Sequence, residues 1–234
     1  RPFQFKQFFI EQDKCAMKVG TDGILLGAWA DVAGAASILD IGAGTGLIAI
    51  MLAQRTETAK ITAVEIDPAA CGQAAQNMAN SPWADRLEAV RQSIQDFSKL
   101  SAGKEFDLIV SNPPFFTGGT FSQSQDKASV RHTIKMPHGD LLSAVRSLLA
   151  KKGKFCAVLP YLEGLRFKEL AATYGLYCTR TTAVKPLKNK PVERLLLQFE
   201  KSEKETLLAE LVIQTGGANS WTEDFRELTG AFYL

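Results

Sequence analysis

The chain has 234 residues, 46% of them hydrophobic and 22% charged, with a net charge of +2. That balance belongs to a globular protein able to bury a full core without a partner, and it excludes a disordered or fibrous chain. No apolar run approaches the roughly 18 residues of a membrane span, and the scattered Cys15, Cys71, Cys156 and Cys178 form no C-x-x-C pair, which disfavours a disulfide scaffold and a zinc site.

In chain order, the first readable element is a short apolar helix punctuated by Gly20, Gly23 and Gly27. Ser37-Ile38-Leu39-Asp40-Ile41 is then an apolar strand running into Gly42-Ala43-Gly44-Thr45-Gly46, and Leu47 to Leu52 begins a helix. Glycines there let the backbone approach a ligand at the carboxyl end of the strand, and the helix N-terminus adds partial positive charge. The spacing is G-x-G-x-G, with Leu47 where a dinucleotide fingerprint carries its third glycine, which favours S-adenosylmethionine over NAD.

A second strand, Ile61 to Asp67, places Glu65 at its carboxyl end, where an acid accepts from both ribose hydroxyls of an adenosyl cofactor. A third strand is expected near Leu87-Glu88-Ala89-Val90, ending in Gln95-Asp96-Phe97, with Asp96 placed to accept from the cofactor's adenine amine. The fourth, Phe106-Asp107-Leu108-Ile109-Val110, leads to Asn112-Pro113-Pro114-Phe115, which is the most specific signal in the chain. The lone pair of an exocyclic ring amine is delocalised, so acceptors must hold both its hydrogens and stabilise the charge that develops on methyl transfer. The Asn112 side chain and the Pro113 carbonyl supply two acceptors. Consecutive prolines stiffen the turn, and Phe115 can stack the target base. A sulfonium methyl donor is already activated, so the chemistry is mostly positioning and needs no protein nucleophile.

The stretch from Phe116 to Asp140 is long, polar and rich in Gly, Ser and Gln, as a substrate loop would be, and it holds both histidines, His132 and His138. A helix is expected over Leu141 to Leu149, ended by Lys151-Lys152-Gly153, then a strand over Lys154 to Pro160 and a helix over Leu165 to Tyr174. Leu176 to Val184 and Glu193 to Phe199 read as a hairpin. Phe116 and the basic groups Lys127, Arg131 and Lys135, then Lys185, Lys188, Lys190 and Arg194, are the candidate RNA contacts near the cofactor edge.

The set Asp40-Ile41-Gly42-Ala43-Gly44-Thr45-Gly46, Glu65-Ile66-Asp67, Gln95-Asp96-Phe97 and Asn112-Pro113-Pro114-Phe115 resembles the class I S-adenosylmethionine-dependent methyltransferases of the amino-methylating branch. More narrowly, Phe5-Lys6-Gln7-Phe8-Phe9, the string from Cys15 to Trp29 and the terminal Phe225 to Leu234 are similar to bacterial methyltransferases acting on adenosine N6 at position 37 of a valine tRNA. The resemblance implies a Rossmann-like α/β fold with a mostly parallel seven-stranded sheet and a C-terminal antiparallel hairpin. It implies one domain over 1–234: a cofactor-covering segment over 1–36, a core sheet over 37–200 and a helical tail over 201–234. It implies S-adenosylmethionine as cofactor and tRNA as partner. The cofactor would be held by Lys18, Thr21 near its carboxylate, Asp40, Gly42, Gly44, Gly46, Glu65, Ile66, Asp96, Phe97 and Asn112. Catalysis would fall to Asn112, Pro113, Pro114 and Phe115. Relatives often carry Arg-His-Glu after the catalytic turn, where this chain has Arg131-His132-Thr133.

Guanine-N2 methylation of ribosomal RNA and glutamine methylation of release factors use similar turns. Those enzymes usually carry an additional domain, and only 37 residues precede Ile38 here. DNA adenine methyltransferases generally insert a recognition domain. A cofactor-binding module without catalysis is disfavoured by the intact Asn112 and Phe115. The expected setting is the cytoplasm, with reduced thiols, no membrane and no metal. Because the sequence begins at Arg1 without a Met, a short upstream segment is expected.

Overall fold

A computed structural model describes residues 1–115 and 136–233. After a small hairpin of β1 (Phe3–Gln4) and β2 (Phe9–Ile10) come α1 (Thr21–Trp29), β3 (Ser37–Ile41), α2 (Leu47–Gln54), β4 (Lys60–Glu65), α3 (Pro68–Ala79), β5 (Leu87–Arg91), α4 (Ile94–Leu100) and β6 (Phe106–Ser111). Beyond the turn at residues 112–115 lie α5 (His138–Leu148), β7 (Leu149–Pro160), α6 (Tyr161–Thr173), β8 (Tyr177–Leu187), β9 (Arg194–Glu200), β10 (Leu207–Gln214) and α7 (Glu223–Thr229).

The main sheet has the order β10-β8-β9-β7-β6-β3-β4-β5. Strands β5, β4, β3, β6 and β7 are mutually parallel, and β9 runs antiparallel to both β7 and β8. Helices cover both faces, so the central strands are apolar in continuous runs rather than in alternation. Period-2 geometry sends Ile38, Leu108 and Val110 into the core shared with α1 and α2, and Leu39, Ile41 and Ile109 into the core shared with α4, α5 and α6. Register then aligns the strand ends: Ile41 stands opposite Val64 on one side and Ser111 on the other. The glycine turn, Glu65 and Asn112 therefore emerge at one rim, the carboxyl end of a parallel sheet, where ligands of such folds bind.

Four expectations are corrected. The sheet has eight strands and not seven, because β10 adds to the edge parallel to β8. The tail is accordingly not helical throughout: Leu207, Leu208, Leu211 and Val212 have helical spacing, but the open edge of β8 offers a complete backbone ladder, and only the short α7 follows. Gln95-Asp96-Phe97 does not end a strand either. β5 stops at Arg91, and Ser93 caps α4 by accepting from the Asp96 N–H at 3.1 Å. The structure also carries Lys151-Lys152-Gly153 inside β7, where they fall in a bulge between the Phe106–Leu149 and Leu108–Lys154 pairings.

The N-terminal segment is packed and not loose. Phe5, Phe8 and Ile10 are buried, with the Phe5 and Phe8 rings stacked at 4.6 Å. Further along, α3 holds this segment with side-chain amides: Asn77 exchanges hydrogen bonds with the Glu11 backbone, and Gln73 accepts from the Lys14 N–H. These buried amides replace the ladder that a neighbouring strand would supply.

Candidate active site

The glycine turn has the conformation its sequence demands. Gly42, Gly44 and Gly46 all have positive φ, at 73°, 55° and 83°, a region that L side chains rarely enter. The Gly42 and Ala43 N–H groups both donate to the Val64 carbonyl at 2.8 and 3.1 Å, stitching the turn to β4. Asp40, expected to touch the cofactor, does not reach the cleft. It is wholly buried, neither carboxylate oxygen has a hydrogen-bond partner among the described residues, and burial, helped by the charge of Glu65, pushes its carboxyl up to about 7.

Over the rim lies a cleft of two lobes, each of about 570 Å³, that meet at Met17, Gly42, Gly44 and Asn112. The first lobe is walled by Glu65, Ile66, Ser93, Ile94 and Pro114. Glu65 accepts from the Gly44 N–H through one oxygen at 3.0 Å and from the Asp67 N–H through the other at 2.9 Å. Each oxygen keeps a further lone pair, so the acid is oriented and still able to accept from a diol. Ile66 is exposed there as a flat apolar wall. Asp96 and Phe97 are not in this wall. Asp96 is exposed in the first turn of α4 and Phe97 is buried near Phe106, and Gln92, Ser93 and Ile94 take their place.

The second lobe is bounded by Lys18, Thr21, Asp22, Asn112, Phe115 and Arg194. Lys18 lines it, but its ammonium donates to the Gln12 and Cys15 carbonyls and so closes residues 12–18 into a strap. The exposed Met17 of that strap stands at the junction of the lobes. Thr21 opens α1 at the lobe's edge.

Asn112 follows β6 directly, where the Ser111 hydroxyl donates to the Ile41 carbonyl at 2.9 Å and fixes the strand end beside the glycine turn. Its Oδ1 is buried and has no hydrogen-bond partner among the described residues. A buried amide oxygen left unpaired costs about 1–3 kcal/mol, so this acceptor suits a donor group brought into the cleft. Pro113 is buried, Pro114 lines the first lobe, and the half-buried Phe115 lines the second. The Arg194 guanidinium lies 5.6 Å from the Phe115 ring centroid, and its Nε donates to both Asp22 oxygens at 3.1 and 2.9 Å.

Of the expected RNA contacts, Phe116, Lys127, Arg131 and Lys135 lie outside the described residues. Arg194 is engaged within the site, and Lys185 pairs with Glu210 at 3.2 Å. Lys188 and Lys190 stand exposed in the β8–β9 turn. Sequence reasoning missed Met17, Asp22, Ser93, Trp221 and Tyr233 as cleft lining. Asp22 had a signal, since it directly follows Thr21 in the glycine-flanked string, whereas nothing local marks Trp221 or Tyr233. Among the described residues no helix is long and apolar enough to cross a membrane, and no cluster of three or more His, Cys, Asp or Glu could hold a metal.

The residues present fit an adenosyl cofactor: a turn with three glycines at positive φ, an oriented acid beside an apolar wall, and, where the lobes meet, an acceptor without a partner among the described residues. Residues 20–159 match the family Methyltransferase small domain. A protein from Agrobacterium tumefaciens described as a predicted O-methyltransferase has the same fold, with a TM-score of 0.72 over 90% of this chain and 96% of that one, at 18% identity. Over 99% of its length the chain is 46% identical to the tRNA1(Val) (adenine(37)-N6)-methyltransferase of Bacteroides thetaiotaomicron, 97% of which is covered. It is 44% identical to the protein of that name from Photorhabdus laumondii, with 95% covered. Identity of that order over nearly the whole of both chains shows that the chain belongs to the family of the tRNA1(Val) (adenine(37)-N6)-methyltransferases.

Proposed function

We propose that the chain transfers a methyl group from S-adenosylmethionine to N6 of adenosine 37 in the anticodon loop of a valine tRNA, in the cytoplasm. The observation that carries this reading is the buried Oδ1 of Asn112, without a hydrogen-bond partner among the described residues, at the junction of the two lobes. The cofactor supplies a methyl group already activated on a sulfonium. Glu65 would hold its ribose and Ile66 its ring, with the three glycines leaving room for it and the N-terminal 1–36 segment covering it.

Asn112 Oδ1 then accepts one hydrogen of the target amine and the Pro113 carbonyl the other. That fixes the amine and stabilises positive charge as it appears on nitrogen. Phe115 stacks the adenine outside its helical context. The proton leaves to solvent after transfer, when the amine is strongly acidic, so no protein base is required. Among the described residues, Lys188 and Lys190 are exposed cations without an ion pair, suited to meet phosphate.

The test is labelled-methyl transfer to tRNA from cells lacking this protein, followed by nucleoside analysis. N6-methyladenosine in valine tRNA, lost in Asn112→Ala with cofactor binding retained, is the expected result. Label in N2-methylguanosine or in protein would overturn the acceptor while keeping the cofactor.

A further inference from the structure

One feature of the second lobe is not required by the chemistry just described. Arg194 is the first residue of β9 and is paired on both sides, with Pro160 of β7 and Val184 of β8, so its backbone is fixed inside the sheet. From there its guanidinium reaches the Phe115 ring and the Asp22 carboxylate. Asp22 lies in the first turn of α1, where the helix dipole favours a carboxylate, and α1 is held rigidly by its packing on α2. Phe115 itself has no regular secondary structure.

We propose that Arg194 and Asp22 are positioning residues for Phe115, and that through them the cofactor-covering start of α1 sets the ring on which the target base stacks. The inference rests on the reading that Phe115 stacks adenine. A guanidinium beside an aromatic ring fixes the ring's place by cation–π attraction, and a carboxylate accepting from it fixes the guanidinium. Charge gives Asp22 a second task. An unpaired cation behind the stacked base would oppose the positive charge that develops on the amine, and Asp22 cancels it. A phosphate-contact role for Arg194 fits less well, since binding phosphate would mean giving up Asp22.

The wild type, Arg194→Gln, Arg194→Lys and Asp22→Asn would be compared in three readouts. These are kcat and KM on valine tRNA, the salt dependence of KM, and the fluorescence of an anticodon stem-loop carrying 2-aminopurine at the target position. The expected result for Arg194→Gln is a fall in kcat of about ten- to a hundredfold, with KM little changed, S-adenosylhomocysteine still bound and weaker quenching of the probe. Arg194→Lys rescues only part, because a compact ammonium lacks the planar guanidinium that meets the Asp22 carboxylate through Nε and lies beside the Phe115 ring. Asp22→Asn, which keeps the side chain's shape, lowers kcat likewise and carries the test if Arg194→Gln does not fold. Unchanged kcat with raised KM and a shallower salt dependence would make Arg194 a phosphate contact and overturn the proposal, as would unaltered kcat and quenching. A wild type that does not methylate the tRNA would overturn the function itself, an outcome distinct from an active wild type with indifferent variants.

Discussion

Glu65 and Gly44 are joined by a hydrogen bond of 3.0 Å from the glycine N–H to the carboxylate, so the glycine turn after β3 and the acid ending β4 form one preset unit. The second carboxylate oxygen is held by the Asp67 N–H. Glu65→Gln keeps the shape but replaces one acceptor with a donor that meets an N–H head-on. Affinity for S-adenosylhomocysteine should fall about tenfold or more, which corresponds to about 1–3 kcal/mol for one mismatched polar contact. Calorimetry decides it, and an unchanged affinity would remove Glu65 from the cofactor site.

Gly46 has a φ of 83°, and a Cβ built on it would lie 3.3 Å from Ala74 Cβ in α3. Left-handed backbone costs a side-chain-bearing residue about 1–2 kcal/mol before any contact is counted. Gly46→Ala should lower Tm by roughly 3–8 °C and weaken cofactor binding, because the turn and α2 would shift together. Gly34, also at positive φ but with nothing near its Cβ position, provides the control: Gly34→Ala should lose the smaller, conformational part and leave binding intact.

Asn112 Oδ1 has no partner among the described residues, and its substitution separates chemistry from folding. Removing a preorganised group that stabilises transition-state charge costs about 10²–10³ in kcat. Asn112→Ala should therefore lose that much single-turnover rate while its melting temperature does not fall, since no internal hydrogen bond among the described residues is given up. A variant that keeps its rate would exclude Asn112 as an amine acceptor.

The elements legible in the sequence were those whose local and tertiary signals agree. The parallel strands read as apolar runs because both faces are buried, and three positive-φ glycines announced the turn. Where the two disagreed, tertiary structure won. Leu207, Leu208, Leu211 and Val212 repeat at helical spacing, yet the free edge of β8 drew them into a strand that leaves Leu207 and Leu208 exposed. Asp96 reads as a strand-end acid only if Ser93 is overlooked; that Ser, three residues earlier, is the cap signal that a helix begins there. Arg194 reads in the sequence as an RNA contact beside Lys185, Lys188 and Lys190, and it is the register of β9 with β7 that brings it against Asp22 and Phe115.

Asp40 makes stability depend on pH in a direction opposite to that of ordinary carboxylates. Its folded value is raised from 3.8 to about 7 by burial. Below 3.8 it is protonated in both states. As pH rises toward 7 the unfolded chain releases the proton and the folded chain keeps it, so this group's contribution is lost across that window and is flat above it. The loss is on the order of 4 kcal/mol. Asp40→Asn, uncharged at every pH, should remove that fall. Its denaturant midpoint relative to wild type should improve between pH 4 and pH 8, and a constant difference would mean that Asp40 is already ionised in the fold.

Lys188 and Lys190 stand exposed in the β8–β9 turn, and no ion pair to either occurs among the described residues. Lys185 and Arg194 of the same basic stretch are already paired with Glu210 and Asp22. A free ammonium releases a condensed counterion when it meets a phosphate, whereas a paired one must first give up its carboxylate, so the two free lysines should carry most of this stretch's salt-dependent affinity. Replacing both by Gln should raise KM for tRNA severalfold, leave kcat near wild type, and reduce the slope of log affinity against log salt by roughly 1.5 to 2. Lys185→Gln alone should do much less. If the double variant keeps the wild-type slope, the phosphate backbone does not pass over this hairpin and the RNA must enter from the other side of the catalytic turn.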